Sequence, residues 1–238
     1  MANSEAPDAV ELEIFRHLFT ALAEEMGAAL KRASFSPNIK ERRDYSCALF
    51  NPSGAAVSLG DHMPVHLGAM PMSVEAALSD LGTLAPGDIV CLNDPFRGGT
   101  HLPDITLISA VYTPDQVRIG YVASRAHHSD VGGSTPGSMP LAREIFEEGI
   151  RIPPVRLFRR GERNDDLWNT LLANVRTPVE RAGDLDAQIA ALHTGSKRLL
   201  EISERRGSAK TLAAMDALIA YADRMVGVGL ALIPDGVF

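Results

Sequence analysis

Two cysteines, one tryptophan and an aromatic content of 5% close several routes to this 238-residue chain. Cys47 and Cys91 cannot build a disulfide framework and show no CxxC spacing. Both sit inside apolar runs, Ser46-Cys47-Ala48-Leu49-Phe50 and Ile89-Val90-Cys91-Leu92, and read as buried, inert thiols. Positive charge is in short supply: 23 Lys and Arg stand against 30 Asp and Glu, for a net charge of -7. Nucleic acid and anionic membrane surfaces require a basic face, so neither is expected as a partner. The basic clusters Lys40 to Arg43, Arg159-Arg160 and Arg205-Arg206 are short, lie close to acids and read as solvated surface. No apolar run approaches the ~20 residues of a membrane span. The first eight residues carry neither the basic nor the apolar region of a secretory leader, and the expectation is a cytoplasmic protein. Three sequence patterns are also missing: GxxxxGK[ST], GxGxxG after a strand, and GxSxG. Their absence removes the usual phosphate cradle, dinucleotide fingerprint and nucleophile elbow.

What is present is an ordinary 45% of hydrophobic residues, enough for a sizeable core. Asp8 can cap a helix running to about Ala33, with Val10, Ile14, Leu18, Leu22, Met26 and Leu30 as its apolar stripe. Tyr45 to Phe50 reads as a strand, Asn51 to Gly54 as a turn, Ala55 to Leu59 as its return, and Gly68 to Leu81 as a short helix. Asp88 to Leu92, Ile105 to Thr113 and Val117 to Ser124 are rich in Ile, Val and Tyr and read as strands, with Thr113 to Gln116 as a turn. From about Asn164 the pattern becomes helical: Leu167 to Val175, Pro178 to Arg206 and Ser208 to Leu232, with Pro178 and Gly207 as punctuation. The expected class is α/β of the α+β type. A mixed, strand-rich region over 1–160 is followed by a helical region over 161–238, packed on the first as one domain. Ile233 to Phe238 reads as a turn into a further element.

Five of the seven histidines lie between positions 62 and 128. His101-Leu102-Pro103-Asp104 and His127-His128-Ser129-Asp130 each place an Asp three residues after a His, beside Gly98-Gly99 and Gly132-Gly133. At strand ends such pairs can converge into a mixed nitrogen and oxygen shell suited to Zn, Mn or Fe(II). His62 and His66 are four apart, but Pro64 argues against a helical ligand pair, so a substrate-facing loop is expected there. His17 and His193, in helical segments, read as structural or surface residues. Glu144, Glu147 and Glu148 read more readily as a surface turn than as acid/base carboxylates.

The ordered blocks Arg43-Asp44-Tyr45-Ser46-Cys47-Ala48, His66-Leu67-Gly68-Ala69-Met70, Asn93-Asp94-Pro95…Gly98 to Asp104, Ala126-His127…Asp130 to Gly133 and Glu148 to Pro154 resemble the hydantoinase B / 5-oxoprolinase family. That family includes N-methylhydantoinase B subunits, caprolactamase B and one of the acetone carboxylase chains. The resemblance implies a B-type subunit of an ATP-dependent cyclic amidase, opening a hydantoin, 5-oxoproline or other lactam in a hetero-oligomer. A hydantoinase A-type partner would handle ATP and Mg. Carried over residue by residue, the ligands of one divalent metal, Zn or Mn, would be Asp44, His101, Asp104 and His127. Asp130 would be a further ligand or would orient His127, and His66 would meet the substrate. Ketone carboxylation, as in the acetone branch, and a non-catalytic assembly role are the alternatives. The resemblance covers nearly this whole chain, whereas B subunits of the family run to more than twice its length.

Overall fold

Asp8 begins the first helix as its sequence predicts: its carboxylate accepts the Glu11 N–H at 2.8 Å, and α1 runs Ala9–Ala33. The buried stripe differs from the four-residue repeat. Each step of four residues advances about 40° beyond a full turn, so the repeat drifts off the core. Val10 is 70% exposed, and Phe15 and Phe19 take the inward face ahead of Leu22, Met26 and Leu30. The computed structural model describes residues 7–60, 62–137, 140–234 and 236.

A single turn, α2 (Pro37–Lys40), leads into β1 (Tyr45–Phe50), β2 (Ala56–Leu59) and α3 (His66–Leu81). The remaining strands are β3 (Ile89–Leu92), β4 (Asp104–Tyr112), β5 (Arg118–His127), β6 (Val155–Arg159) and β7 (Glu162–Arg163). They form one seven-stranded sheet in the order β2-β1-β5-β4-β3-β6-β7, antiparallel throughout. Helices α4 (Asp165–Ala173), α5 (Pro178–Arg206) and α6 (Ser208–Leu230) follow. The fold is thus a strand-rich N-terminal half and a helical C-terminal half. Two boundaries differ from the sequence reading in ways that matter below. α3 starts at His66 and not Gly68, and β5 continues past Ser124 to His127. The turn expected at 233–238 lies partly outside the described residues.

The pleat sends alternate side chains to opposite faces, and each face has its own core. Tyr45, Cys47, Leu49, Ile105, Leu107, Val122 and Ala126 meet α1, α5 and α6 in a cluster that draws on residues before and after position 160. Ala48, Phe50, Ile108, Ala110, Tyr121 and Ala123 meet Met70, Val74 and Ala77 of α3 in a second cluster. Burial raises both cysteine thiols, Cys91 to about 12, in keeping with inert packing. No helix among the described residues is long and apolar enough to cross a membrane.

Candidate metal centre

Three adjacent strands place the site residues in a row. His127 ends β5 and pairs in register with Asp104 at the start of β4. On the other side of β5, Asp44 immediately precedes β1, and its carbonyl accepts the His127 N–H at 3.0 Å. Arg43, with φ 58, turns the chain into that position. The turn before β4 adds His101, and the first residue of α3 adds His66.

Asp104 is the hub. Its Oδ1 lies 2.9 Å from His101 Nε2 and 3.1 Å from His127 Nδ1, and those two ring nitrogens are 3.1 Å apart. Its Oδ2 lies 3.2 Å from His66 Nε2 and accepts the Thr100 hydroxyl at 2.7 Å. Asp44 stands at the edge, Oδ1 3.9 Å from His66 Nε2 and Oδ2 3.8 Å from His127 Nδ1. Asp104, His66 and His127 are buried, whereas the His101 side chain is 39% exposed and opens the cluster to solvent. Burial alone would raise the Asp104 carboxyl, but hydrogen bonds from His101, His127 and His66 outweigh it and hold the group well below the usual carboxylate range. The Asp104 hydrogen bond in turn raises His101 against the opposing effect of burial.

The donor set fits a divalent ion. His101, Asp104 and His127 each offer one ligand atom, all within 4.8 Å of one another. An ion held at about 2.0–2.2 Å spaces neighbouring ligands roughly 2.8–3.6 Å apart, from octahedral to tetrahedral angles, a range that contains the 2.9 and 3.1 Å edges found here. Two imidazole nitrogens aimed at one another and at the same carboxylate oxygen are otherwise reconciled only by shared protons.

Of the residues singled out as ligands or substrate contacts, Asp44, His66, His101, Asp104 and His127 therefore share one cluster. Asp130 lies elsewhere. Its Oδ1 accepts Gly132 N–H at 3.0 Å and Arg176 Nη1 at 3.2 Å, and its Oδ2 accepts the Arg176 N–H at 2.5 Å. The HxxD spacing works at 101–104 because it crosses a turn back onto the strand. At 127–130 the same spacing leads off the sheet. His62, the other member of the His62/His66 pair, packs beside Tyr45 with its Nε2 3.5 Å from Glu24, away from the cluster. His17 and His193 are exposed. Glu147 Oε2 accepts the Arg143 N–H at 2.8 Å in its surface turn, and the Glu148 charge is felt at His101.

Sequence reasoning missed the groups that hold the cluster. Ser46 Oγ lies 2.9 Å from His66 Nδ1, fixing that ring from behind. Asn93 ties two of the motif blocks together: its Nδ2 donates to the Leu102 and Ile150 carbonyls at 2.7 and 3.0 Å, and its Oδ1 accepts the Ile152 N–H at 2.6 Å. Ser46 and Asn93 lie within the motifs, but nothing in their spacing tells a supporting group from a packed one.

A seven-stranded antiparallel sheet with long helices packed on one face has known counterparts. The family model described as Hydantoinase B/oxoprolinase matches residues 8–238. The chain belongs to that family. It is 42% identical over 214 residues to 5-oxoprolinase 1 of Arabidopsis thaliana, covering 84% of this chain and 17% of that protein. It is 32% identical over 236 residues to the B chain of a putative D-/L-hydantoinase from a Pseudomonas strain, covering 96% of this chain and 40% of the relative. The crystal structure of an ATP-dependent caprolactamase from Pseudomonas jessenii superposes with a TM-score of 0.90 at 32% identity, over 98% of this chain and 40% of that one. The chain thus spans less than half the length of each of these relatives.

Proposed function

We propose that this chain is the metal-holding part of a B-type subunit in an ATP-dependent cyclic amidase, opening a hydantoin, 5-oxoproline or other lactam ring. The observation that carries the reading is the convergence of Asp44, His66, His101, Asp104 and His127 on one face of the sheet. The named relatives, a 5-oxoprolinase, a hydantoinase B chain and an ATP-dependent caprolactamase, supply the reaction class. ATP and Mg would be bound by a hydantoinase A-type partner in a cytoplasmic hetero-oligomer.

Asp44, His101, Asp104 and His127 would hold one Zn or Mn ion, with His66 beside Asp104 as a further ligand or substrate contact. A divalent ion in such a shell polarises an amide carbonyl and lowers the pKa of bound water. The chain's own residues prepare that site. Asp104 stays ionised, and its two oxygens orient three imidazoles at once. Ser46 at His66 Nδ1 leaves Nε2 directed at the cluster. His101 and the partly exposed Asp44 form the mouth through which a ring carbonyl would enter. Asp130, held by Arg176, fixes the 130–133 loop at the end of β5 and takes no ligand role in this reading.

The test is elemental analysis of the purified chain beside its Asp44→Ala and His127→Ala variants. About one Zn or Mn per chain is expected, lost in both variants while circular dichroism stays native. A folded wild-type chain that retains no metal after exposure to either ion would overturn the site. The reaction class is tested separately with an added A-type partner. Lactam-dependent ATP turnover that is abolished by His101→Ala supports it, and bicarbonate-dependent ketone consumption without ring opening would replace it by the carboxylase reading.

A further inference from the structure

Arg125 has 0% exposure and is the largest of the fully buried side chains. It lies on β5 two residues before His127, on the same face of the pleat. Its Nε donates to Thr106 Oγ1 on β4 at 2.8 Å. Its Nη2 donates to Ser73 Oγ on α3 at 2.6 Å and reaches the Gly98 carbonyl at 3.5 Å, while Ser73 Oγ donates to that same carbonyl at 2.5 Å. Nη1 has no hydrogen-bond partner among the described residues. These hydrogen-bond partners are all neutral, and the negative charge felt at the guanidinium is that of Asp104, which makes no direct ion pair with it and only partly offsets its burial. Burying charge in that way is costly, and packing alone would be served better by an apolar side chain.

The group it grips is the start of the loop that delivers His101. Gly98 has φ 82 and lies so close to α3 that a Cβ there would stand 2.3 Å from the Met72 carbonyl oxygen. The next residues are Gly99, then Thr100, whose hydroxyl donates to Asp104, then His101. Of the clustered side chains, His101 is the most exposed, so packing restrains it least.

We propose that Arg125 is a positioning residue. Through Ser73 and the Gly98 carbonyl it clamps the Gly98–His101 loop to α3, and thereby keeps His101 within reach of Asp104 and His127. The consequence for metal affinity rests on the metal-site reading; the clamp itself does not.

Both levels are measured on the full chain with Arg125→Met, Arg125→Lys and Ser73→Ala. In the metal-free protein, hydrogen–deuterium exchange over 97–103 should quicken in Arg125→Met and Ser73→Ala, with β1 and α5 unchanged. Co(II) should bind Arg125→Met about ten-fold or more weakly, the usual scale for losing a group that orients a ligand, and its visible spectrum should change. Arg125→Lys should recover part of both effects, since an ammonium can reach Ser73 but cannot also serve Thr106. Exchange over 97–103 equal to wild type, or loosening spread evenly over the sheet, would overturn the clamp. If Arg125→Met fails to fold, Ser73→Ala decides by the same criteria. A wild-type chain that binds no Co(II) while the loop still loosens would keep the clamp and remove the metal site.

Discussion

Two neighbouring histidines at the end of β5, His127 its last residue and His128 the first beyond it, meet opposite surroundings because their side chains leave the chain on opposite sides. His127 turns to the α3 face and joins the cluster. His128 turns to α5, is fully buried, and sets Nε2 2.9 Å from Gln188 Oε1. Gln188 Nε2 already donates to the Ile105 and Ser124 carbonyls, so its oxygen accepts and His128 carries the proton on Nε2. Burial pushes His128 down to about 4 against the helping hydrogen bond from Gln188. The native state therefore keeps a neutral ring that the unfolded chain protonates below about pH 6.5. Its contribution to stability is complete above that pH and is lost as pH falls towards the folded value. Between pH 6.5 and 5 the loss is on the order of 2 kcal/mol. His128→Gln keeps an N–H for Gln188 but cannot titrate. Urea unfolding at the two pH values should show the variant losing about 2 kcal/mol less than wild type, and equal losses would refute the assignment.

Among the elements, β6 was invisible in the sequence and is held by one acidic residue. Asp88, just before β3, accepts the Ala85 N–H and Arg156 Nε through Oδ2 at 3.0 Å each, and the Arg160 N–H through Oδ1 at 2.9 Å. Burial would raise its carboxyl, but these bonds prevail and hold it below the ordinary value. A depressed carboxylate stabilises the fold above the unfolded pKa of about 4 and loses that effect as pH falls further. Asp88→Ala should cost about 3 kcal/mol at pH 7 and less in acid, as read by chemical denaturation at pH 7 and pH 3.5. The reason β6 and β7 escaped notice is the same chemistry: Arg156, Arg159, Arg160 and Gly161 look like a solvated loop until Asp88 organises them. An apolar repeat locates α1, runs rich in Ile, Val and Tyr locate β3, β4 and β5, and Pro178 and Gly207 mark off α5 and α6, because these elements bury apolar residues in bulk. The same patterns set the ends of α3 and β5 too short, because His66, Arg125 and His127 are polar residues buried for the site. The histidines and aspartates of the cluster were legible as residue types in motifs. Which of the two HxxD pairs would close was decided by strand register, which no local pattern contains.

Across the whole molecule the sheet separates stability from chemistry. The face against α1 and α5 is packed with Phe19, Leu22, Met26, Leu30, Leu192 and Leu199, all fully buried. The other face gives one end to Ser46, Asp104, Thr106, Arg125 and His127 and keeps the smaller apolar cluster with α3 for the rest. The last turns of α6 take part in neither: from Ala220 to Pro234 every residue is exposed, Met225, Val228 and Leu232 included. This division fixes how substitutions should segregate. Leu22→Ala opens a cavity in the helical face and should lower stability by about 3–5 kcal/mol, whereas Val228→Ala trims a side chain that is 64% exposed and should fall within about 0.5 kcal/mol of wild type. Under conditions where Leu22→Ala remains folded, it should still bind one metal ion with the wild-type Co(II) spectrum, because no cluster residue lies on its face of the sheet. Metal loss in folded Leu22→Ala would mean that the α1 layer sets the geometry of Asp44 and His127 through β1 and β5, and the two faces would then have to be treated as one cooperative unit.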